Sequence, residues 1–196
     1  MLRSNKPKKK KKNQRKKVSK QDLQSTQGLL LYNKAQRLLS YRPRSVAELR
    51  LRLTQYSKKK KIALSLVDES LKLLIEEGSI DDSKFAQWWI EQRSEFSPRG
   101  RRGLIAELKA KGVDEEIIRQ TIELLWQDEV DVFGVKRERL EDKLLAEKAA
   151  TKKLKIYKLE NKIVFREKMV RYLLRRGFDY DTANDVLQNL IEKYYD

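Results

Sequence analysis

The stretch GLIAELKAKGVDEEIIRQTIELL (residues 103–125) decides the fold, because a second stretch of the chain repeats it without a gap. The second stretch is KMVRYLLRRGFDYDTANDVLQNL (168–190), and the overlay places apolar residues on apolar residues. The matched pairs are Ile105 with Val170, Leu108 with Leu173, Val113 with Phe178, Ile122 with Leu187, and Leu125 with Leu190. Residues 45–75 give a looser third copy. Self-similarity of this kind is typical of tandem repeat proteins.

Three helix-to-helix turns share one chemistry: EEGSIDD (76–82), KGVDEE (111–116) and RGFDYD (176–181). In each turn a glycine can take the left-handed conformation that ends a helix. An aspartate follows that can accept backbone N–H bonds as the N-cap of the next helix. The predicted pairs are Gly78 with Asp81, Gly112 with Asp114, and Gly177 with Asp179.

Two further helix starts are predicted from capping residues. Ser45 is followed three residues later by Glu48, which is the spacing of a capping box. Ser97 is predicted to cap a helix whose first residue is Pro98. In the first copy, the lysine-rich segment YSKKKKIA (56–63) is interpreted as a lengthened loop between two helices.

Almost everything after residue 28 fits helical periodicity, and no convincing alternation typical of strands occurs. A further helix precedes each copy, so the chain is predicted to be all-α, an elongated array of three tandem three-helix repeats. The predicted divisions are a disordered basic tail (1–27) and repeats over 28–78, 79–128 and 129–196.

The charge of the chain is concentrated in its N-terminal tail. Lys and Arg number 46 against 29 Asp and Glu, and 11 of the basic residues lie in residues 1–20, where there is no acid. Such a tail cannot bury apolar area, so disorder is predicted. It is either a solubilising segment or a non-specific nucleic-acid arm, and composition does not separate the two.

The same composition narrows the class of protein. The chain has no Cys and no His, which removes thiolate nucleophiles, imidazole bases and the usual zinc ligands. It shows no phosphate-binding glycine loop or nucleophile elbow. The adjacent Asp81 and Asp82 could suggest a metal site, but without a second ligand cluster capping is the better interpretation. We expect no enzyme activity and no cofactor.

Two adjacent tryptophans occur in GSIDDSKFAQWWIEQR (78–93). At 100° per residue, Trp89 lies at the centre of a face shared with Phe85, Arg93 and Phe96, so it is predicted to be buried in the core. Trp88 lies at the rim of that face. It is therefore the better candidate for contact with a partner.

Basic clusters carry the remaining functional signal. The densest are RPR (42–44), KKKK (58–61), PRGRR (98–102), KK (152–153) and RR (175–176). Any one of them is consistent with a solvated surface, but their recurrence at the ends of repeated helices indicates an extended basic surface for a polyanion. The candidate partner-binding residues are Arg42, Arg44, Trp88, Arg93, Arg99, Arg101, Arg102, Lys109, Lys152, Lys153, Arg171, Arg175 and Arg176.

Within this set, cations at a helix start are the more telling. Arg175 and Arg176 end a predicted helix, where a positive charge also complements the helix dipole. Arg99, Arg101 and Arg102 start one, where a cation gains nothing from the dipole. These three are therefore the sharper candidates.

The combination of RPRSVAEL (42–49), GSIDDSKFAQWWIEQR, SPRGRRGLIAELKAKGV (97–113) and RRGFDYDTANDVL (175–187) resembles the RecX regulators of bacterial RecA recombinase. The resemblance covers about residues 30–192. It implies a protein that binds in the groove of the RecA–DNA filament and restrains the ATPase, strand-exchange and coprotease activities of RecA, in DNA repair and the SOS response. The tail and the YSKKKKIA segment depart from the compact family pattern.

The resemblance therefore implies RecA filaments as partner, with single- or double-stranded DNA bound directly or within the filament. A general helical nucleic-acid-binding protein that acts without RecA remains an alternative, and the tail alone suggests an RNA- or ribosome-associated factor. No secretory signal or membrane-spanning segment is found in the sequence. We expect a cytoplasmic monomer.

Overall fold

The computed structural model describes residues 26–126, 137–157 and 160–195, without the side chains of residues 137–141. These residues form nine α-helices and no strand. The helices are α1 (Thr26–Tyr41), α2 (Val46–Lys60), α3 (Ser65–Glu76), α4 (Asp82–Phe96), α5 (Arg101–Ala110), α6 (Glu115–Leu125), α7 (Arg137–Tyr157), α8 (Lys162–Arg175) and α9 (Tyr180–Tyr194). Within the described ranges, every helix is too short or too polar to cross a bilayer.

The nine helices pack in three consecutive trios. We call α1–α3 the first unit, α4–α6 the second and α7–α9 the third. In each unit all three helices contact one another, which confirms the predicted all-α array of three-helix repeats. The predicted division between residues 78 and 79 falls in the turn from α3 to α4. The division after residue 128 and nearly all of the tail lie outside the described residues, so the repeat boundaries stay predictions.

The predicted turn chemistry is confirmed at all three turns. Their glycines have positive φ, at 69°, 73° and 86° for Gly78, Gly112 and Gly177. The aspartates Asp81, Asp114 and Asp179 each accept a backbone N–H from the first turn of the following helix. The residues after the last two glycines, Val113 and Phe178, are buried and fold back onto the helix just ended.

Two predicted helix ends are wrong. The segment YSKKKKIA is not a lengthened loop, because its first lysines form the last turn of α2 and Lys61 takes the left-handed position, at φ 55°. The α5 helix begins at Arg101 with Gly100 as N-cap, whereas Ser97 ends α4 and Pro98 precedes α5. The predicted cap at Ser45 is confirmed, since its hydroxyl accepts the N–H of Glu48.

The core is divided unequally among the units. The first unit has its own apolar cluster, built on Leu31, Leu49, Leu53, Leu71 and Leu74. The second and third units share one continuous cluster that runs from Phe85 to Ile191. The last two units therefore form one packed body, and the first unit is joined to it by a smaller, more polar contact.

That polar contact is a junction between the start of α2 and the turn after α5. The Ser45 hydroxyl donates to the carbonyl oxygen of Lys111 at 2.6 Å, and the N–H of Val46 donates to Asp82 Oδ1 at 2.8 Å. The backbones approach so closely that a Cβ on Gly112 would lie 2.4 Å from the Cβ of Ala47. Glycine is therefore required here by space as well as by φ.

A second junction repeats the pattern between the start of α5 and the turn after α8. The N–H of Gly100 donates to the carbonyl oxygen of Arg176 at 3.1 Å. The backbone N–H of Arg101 donates to the carboxylate of Asp142 on α7, as Val46 does to Asp82 in the first junction. A Cβ on Gly103 would lie 2.3 Å from the Arg176 carbonyl oxygen, and one on Gly177 would lie 2.1 Å from the Gly103 nitrogen.

Candidate interface for an anionic partner

A basic groove lies at the second junction, between α5 and the end of α8. It encloses about 490 Å³, and its floor is made of small residues, Gly103, Ala106 and Ala110. Arg99, Arg102 and Arg175 line it together with one acid, Glu107. The close approach of the two glycine backbones places cations from the second and third units around one cavity. We call this cavity the junction groove.

Glu107 fixes two of the candidate cations. Its carboxylate lies 2.7 Å from the Nε of Arg93 and 2.5 Å from the Nε of Arg99, and it also accepts the indole N–H of Trp89 at 2.9 Å. The carboxylate accepts hydrogen bonds from Arg93 and Trp89 and forms an ion pair with Arg99, and together these contacts hold the three side chains in one geometry. Arg93 and Arg99 therefore hold α4, and the loop that precedes α5, against α5.

The prediction that Trp89 is a core residue is wrong. The buried face of α4 carries Phe85, Ala86 and Ile90, and both Trp88 and Trp89 are half-buried at its edge. The Arg93 guanidinium lies 4.3 Å from the centre of the Trp89 ring, and the Lys111 ammonium lies 4.8 Å from it. Phe96, which was placed on the same face, is 69% exposed. The indole of Trp89 is thus an amphipathic side chain held between cations, with its N–H on Glu107.

We expect Trp89→Ala to lower the free energy of unfolding by about 2 kcal/mol, since it removes a half-buried ring and leaves Glu107 one donor short. Trp89→Phe should retain much of the ring contact and lose the N–H bond, so its cost should be about half as large. Trp88→Ala is the control, because Trp88 packs on Phe85 but sits outside the Glu107 cluster. Urea unfolding of the three variants measures this, and equal losses for Trp89→Ala and Trp89→Phe would contradict the ring's contribution.

Three other candidates contact the end of α4 or a buried tyrosine. Arg176 donates to the Ser97 hydroxyl at 3.1 Å and the Pro98 carbonyl at 2.9 Å. Lys152 donates to the Phe96 carbonyl at 2.8 Å. Lys153 and Arg176 both lie within 6 Å of the Tyr172 ring centre, at 5.8 and 4.9 Å. Arg176 and Lys152 thus join the second unit to the third, whereas Lys153 contacts α8 from α7 within the third unit.

Four candidates are engaged elsewhere. Arg42 pairs with Glu48 at 3.1 Å, and Lys111 reaches the same carboxylate at 2.7 Å across the first junction. Burial alone would raise the pKa of Glu48, but the hydrogen bonds from Arg42 and Lys111 outweigh it and hold that pKa below its ordinary value. Arg44 donates to the Leu38 carbonyl, Lys109 pairs with Glu115, and Arg101 lies beside Asp142.

The remaining candidate cations are Arg102, Arg171 and Arg175. All three are exposed, and within the described part of the chain none has a carboxylate within ion-pair distance. Arg102 and Arg175 come from different units and line the junction groove together. The structure thus separates the candidates into cations that hold the units together and cations that face solvent.

Some residues of the junction were not singled out from the sequence. Gly103 and Glu107 line the groove, and Asp142, from another unit, accepts a backbone N–H at the start of α5. The sequence does not reveal them because their partners lie elsewhere in the chain. The one available signal was Gly103 just after a predicted helix start, because glycine inside a helix is unfavourable. Among the described residues, no group of three or more metal-ligating side chains is present.

Family models match two parts of the chain. The model described as "RecX, second three-helix domain" matches residues 81–122, and "RecX, third three-helix domain" matches residues 141–187. These ranges begin near α4 and α7 and correspond to the second and third units.

Several curated proteins named "Regulatory protein RecX" are similar over most of the chain. The protein of Mycobacterium sp. (strain JLS) is 32% identical over 155 residues, which cover 77% of this chain and 76% of that protein. The Mycolicibacterium smegmatis protein is 32% identical over 151 residues, with 77% and 74% covered.

Two solved structures share the fold. The crystal structure of RecX from Lactobacillus salivarius superposes with a TM-score of 0.59 at 24% identity, over 84% of this chain and 96% of that one. A structure described as regulatory protein RecX superposes with a TM-score of 0.66 at 18% identity, over 88% and 80%. The three-unit array, its second and third units and its sequence all agree, and the chain belongs to the RecX family of regulatory proteins.

Proposed function

We propose that this protein binds the RecA–DNA filament and inhibits the ATPase, strand-exchange and coprotease activities of RecA, as a regulator in DNA repair and the SOS response. The junction groove is the observation that carries the proposal. It presents Arg102 and Arg175, from two different units, without a described carboxylate partner, whereas Arg99, which lines the same groove, pairs with Glu107.

Arginine suits such a surface because its planar guanidinium can make two parallel hydrogen bonds to a carboxylate or a phosphate. Both anions occur on a nucleoprotein filament, in acidic side chains and in the DNA backbone. The groove is also held by backbone contacts between two units, which keep the backbone positions of the two arginines at a fixed separation. Fixed geometry lowers the entropy lost on binding.

We expect the double substitution Arg102→Glu/Arg175→Glu to weaken inhibition of RecA ATPase at least tenfold, because two attractive charges become repulsive in the centre of the proposed interface. Arg99 and Arg101, which the sequence favours equally, are less informative sites for substitution, since Arg99 pairs with Glu107 and Arg101 neighbours Asp142. The matched control is Arg37→Glu/Arg166→Glu, which makes the same change in charge at exposed sites outside the groove. Circular dichroism checks that both variants remain helical.

The measurement is ATP hydrolysis by preformed RecA filaments, titrated with each protein at a fixed large excess of DNA. Inhibition by simple competition for DNA fades under excess DNA, whereas inhibition by filament binding persists. Loss of wild-type inhibition under these conditions would overturn the proposed function. Equal inhibition by the groove variant and the wild type would exclude the groove as the working surface.

A further inference from the structure

A second basic depression lies on the surface of the first unit, away from the junction groove. It encloses about 310 Å³ between α1 and α2. Four of its seven lining residues are cations and none is an acid. The lining residues are Lys34, Leu38, Arg44, Arg52, Gln55, Tyr56 and Lys59. We call it the first-unit pocket.

The charges of this pocket are not neutralised within the described part of the chain. None of its four cations has a carboxylate within ion-pair distance there, although neighbouring arginines on the same elements do. Arg42 pairs with Glu48 and Arg50 pairs with Asp68. Carboxylates are thus available on α2 and α3 but are used outside the pocket, and like charges are left facing one another.

Several side chains of the pocket are held in place by contacts with their neighbours. The Nε of Arg44 donates to the carbonyl oxygen of Leu38 at 3.1 Å, which orients the guanidinium. Burial, with the nearby charges of Arg42 and Arg52, lowers the pKa of Arg44 against the opposing charge of Glu48, so a further anion at the pocket would favour the charged guanidinium. Leu38 and Tyr56 are half-buried walls packed on the core of the unit, and the Lys34 ammonium lies 5.7 Å from the Tyr56 ring centre.

The spacing of the cations points to a polymer of phosphates rather than to one small anion. Arg52 and Lys59 are seven residues apart on α2, which is about 10 Å along the helix. A single nucleic-acid strand carries one phosphate per nucleotide, so neighbouring phosphates of a strand laid along this length can contact both cations. An acidic peptide could also bring several anions, but the phosphate repeat is regular and matches a row of cations on a rigid helix.

We propose that the first-unit pocket binds the phosphate backbone of a nucleic-acid strand. This site belongs to the protein alone and does not require RecA, so it stands or falls independently of the filament function. Its position on the first unit, which has its own core, separates it from the junction groove between the other two units.

The test is binding of the full chain to a labelled oligothymidylate, followed by fluorescence anisotropy across a range of salt concentrations without RecA. The pocket variant is Arg52→Gln/Lys59→Gln. The matched control is Lys58→Gln/Lys60→Gln, which removes two exposed charges without a described carboxylate partner from the same helix outside the pocket. Both proteins keep the basic tail, so its contribution cancels.

We expect the pocket variant to bind about tenfold more weakly at low salt and to show a salt slope smaller by about 1.4, since two phosphate contacts no longer release counterions. The control should stay close to the wild type. Equal behaviour of the two variants would overturn the proposal, and so would a pocket variant defective only toward vesicles of anionic lipid. The RecA ATPase titration reports on the filament function separately, whichever result is obtained here.

Discussion

Replacing Gly177 with alanine is expected to lower the free energy of unfolding by about 3–5 kcal/mol, a large share of the stability of an ordinary domain. Two costs combine. Gly177 has a φ of 86°, a conformation that costs an L-residue about 1–2 kcal/mol. The added Cβ would also lie 2.1 Å from the backbone nitrogen of Gly103, so the second and third units must separate.

Two other glycines divide this effect into its parts. Gly78 has a similar positive φ but no atom within 4 Å of an added Cβ, so Gly78→Ala should cost only the conformational part, about 1–2 kcal/mol. Gly103 lies inside α5, where alanine is the better helix former, so any loss in Gly103→Ala measures the clash with the Arg176 carbonyl. Chemical denaturation of the three variants gives the comparison. A Gly177→Ala loss no larger than that of Gly78→Ala would show that the junction yields without cost.

The substitution Asp142→Asn is expected to stabilise the protein by up to about 3 kcal/mol at pH 8 and to have little effect near pH 4. Asp142 is 8% exposed, and one of its carboxylate oxygens has no hydrogen-bond partner among the described residues. Burial raises its pKa from 3.8 to about 6, the charge of Asp179 acts in the same direction, and the N–H of Arg101 opposes them.

The sign follows from the raised pKa. A carboxyl group that holds its proton more tightly in the folded state favours folding fully below pH 3.8, and this contribution is lost as the pH rises through about 6. Asparagine keeps an oxygen for the Arg101 N–H and never becomes charged. The stability that the wild type has at low pH is therefore retained at every pH.

Thermal or urea unfolding of both proteins between pH 4 and pH 8 checks this expectation. Asp82→Asn is the companion variant, because Asp82 occupies the corresponding place in the first junction and burial raises its pKa in the same direction. Asp142→Asn proving less stable than the wild type at pH 8 would show that the charge itself, at the start of α5, outweighs its desolvation.

Local turn chemistry could be predicted because its causes lie within a few residues. A glycine that ends a helix and an aspartate that caps the next need no information from elsewhere in the chain. The internal repeat extended this reasoning from single turns to the architecture. The sequence therefore predicts correctly, without any contact between units, that two turns pair a helix-ending glycine with an N-cap aspartate. These pairs are Gly112 with Asp114 and Gly177 with Asp179.

The face of α4 could not be predicted in the same way. Large aromatic residues suggested that Trp89 points inward, but the small Ala86 faces the core and lets another element approach. The position of Trp89 depends on Glu107, 18 residues away, on Arg93 of the same helix and on Lys111 at the end of α5. A helical wheel shows the period of the apolar pattern, but it does not show which partner residues fix the rotation of the helix about its axis.

The basic surface shows the same division. Composition indicated where the cations are, and the structure shows which of them are already neutralised. Arg99 and Arg102 belong to the same basic segment, PRGRR, yet Arg99 pairs with Glu107 and Arg102 has no described carboxylate partner. Ion pairs between distant segments decide this, and no local pattern encodes them.

The lysine at the end of α2 has a consequence for growth of the array. At both junctions the turn that meets the preceding unit carries a glycine, whose missing side chain lets the two backbones touch. The corresponding turn of the first unit carries Lys61, with Lys58, Lys59 and Lys60 beside it. A second molecule that offered its last unit to this turn would meet a side chain and four positive charges. The close backbone contact that joins the units within the chain is therefore not available at this turn to a further unit.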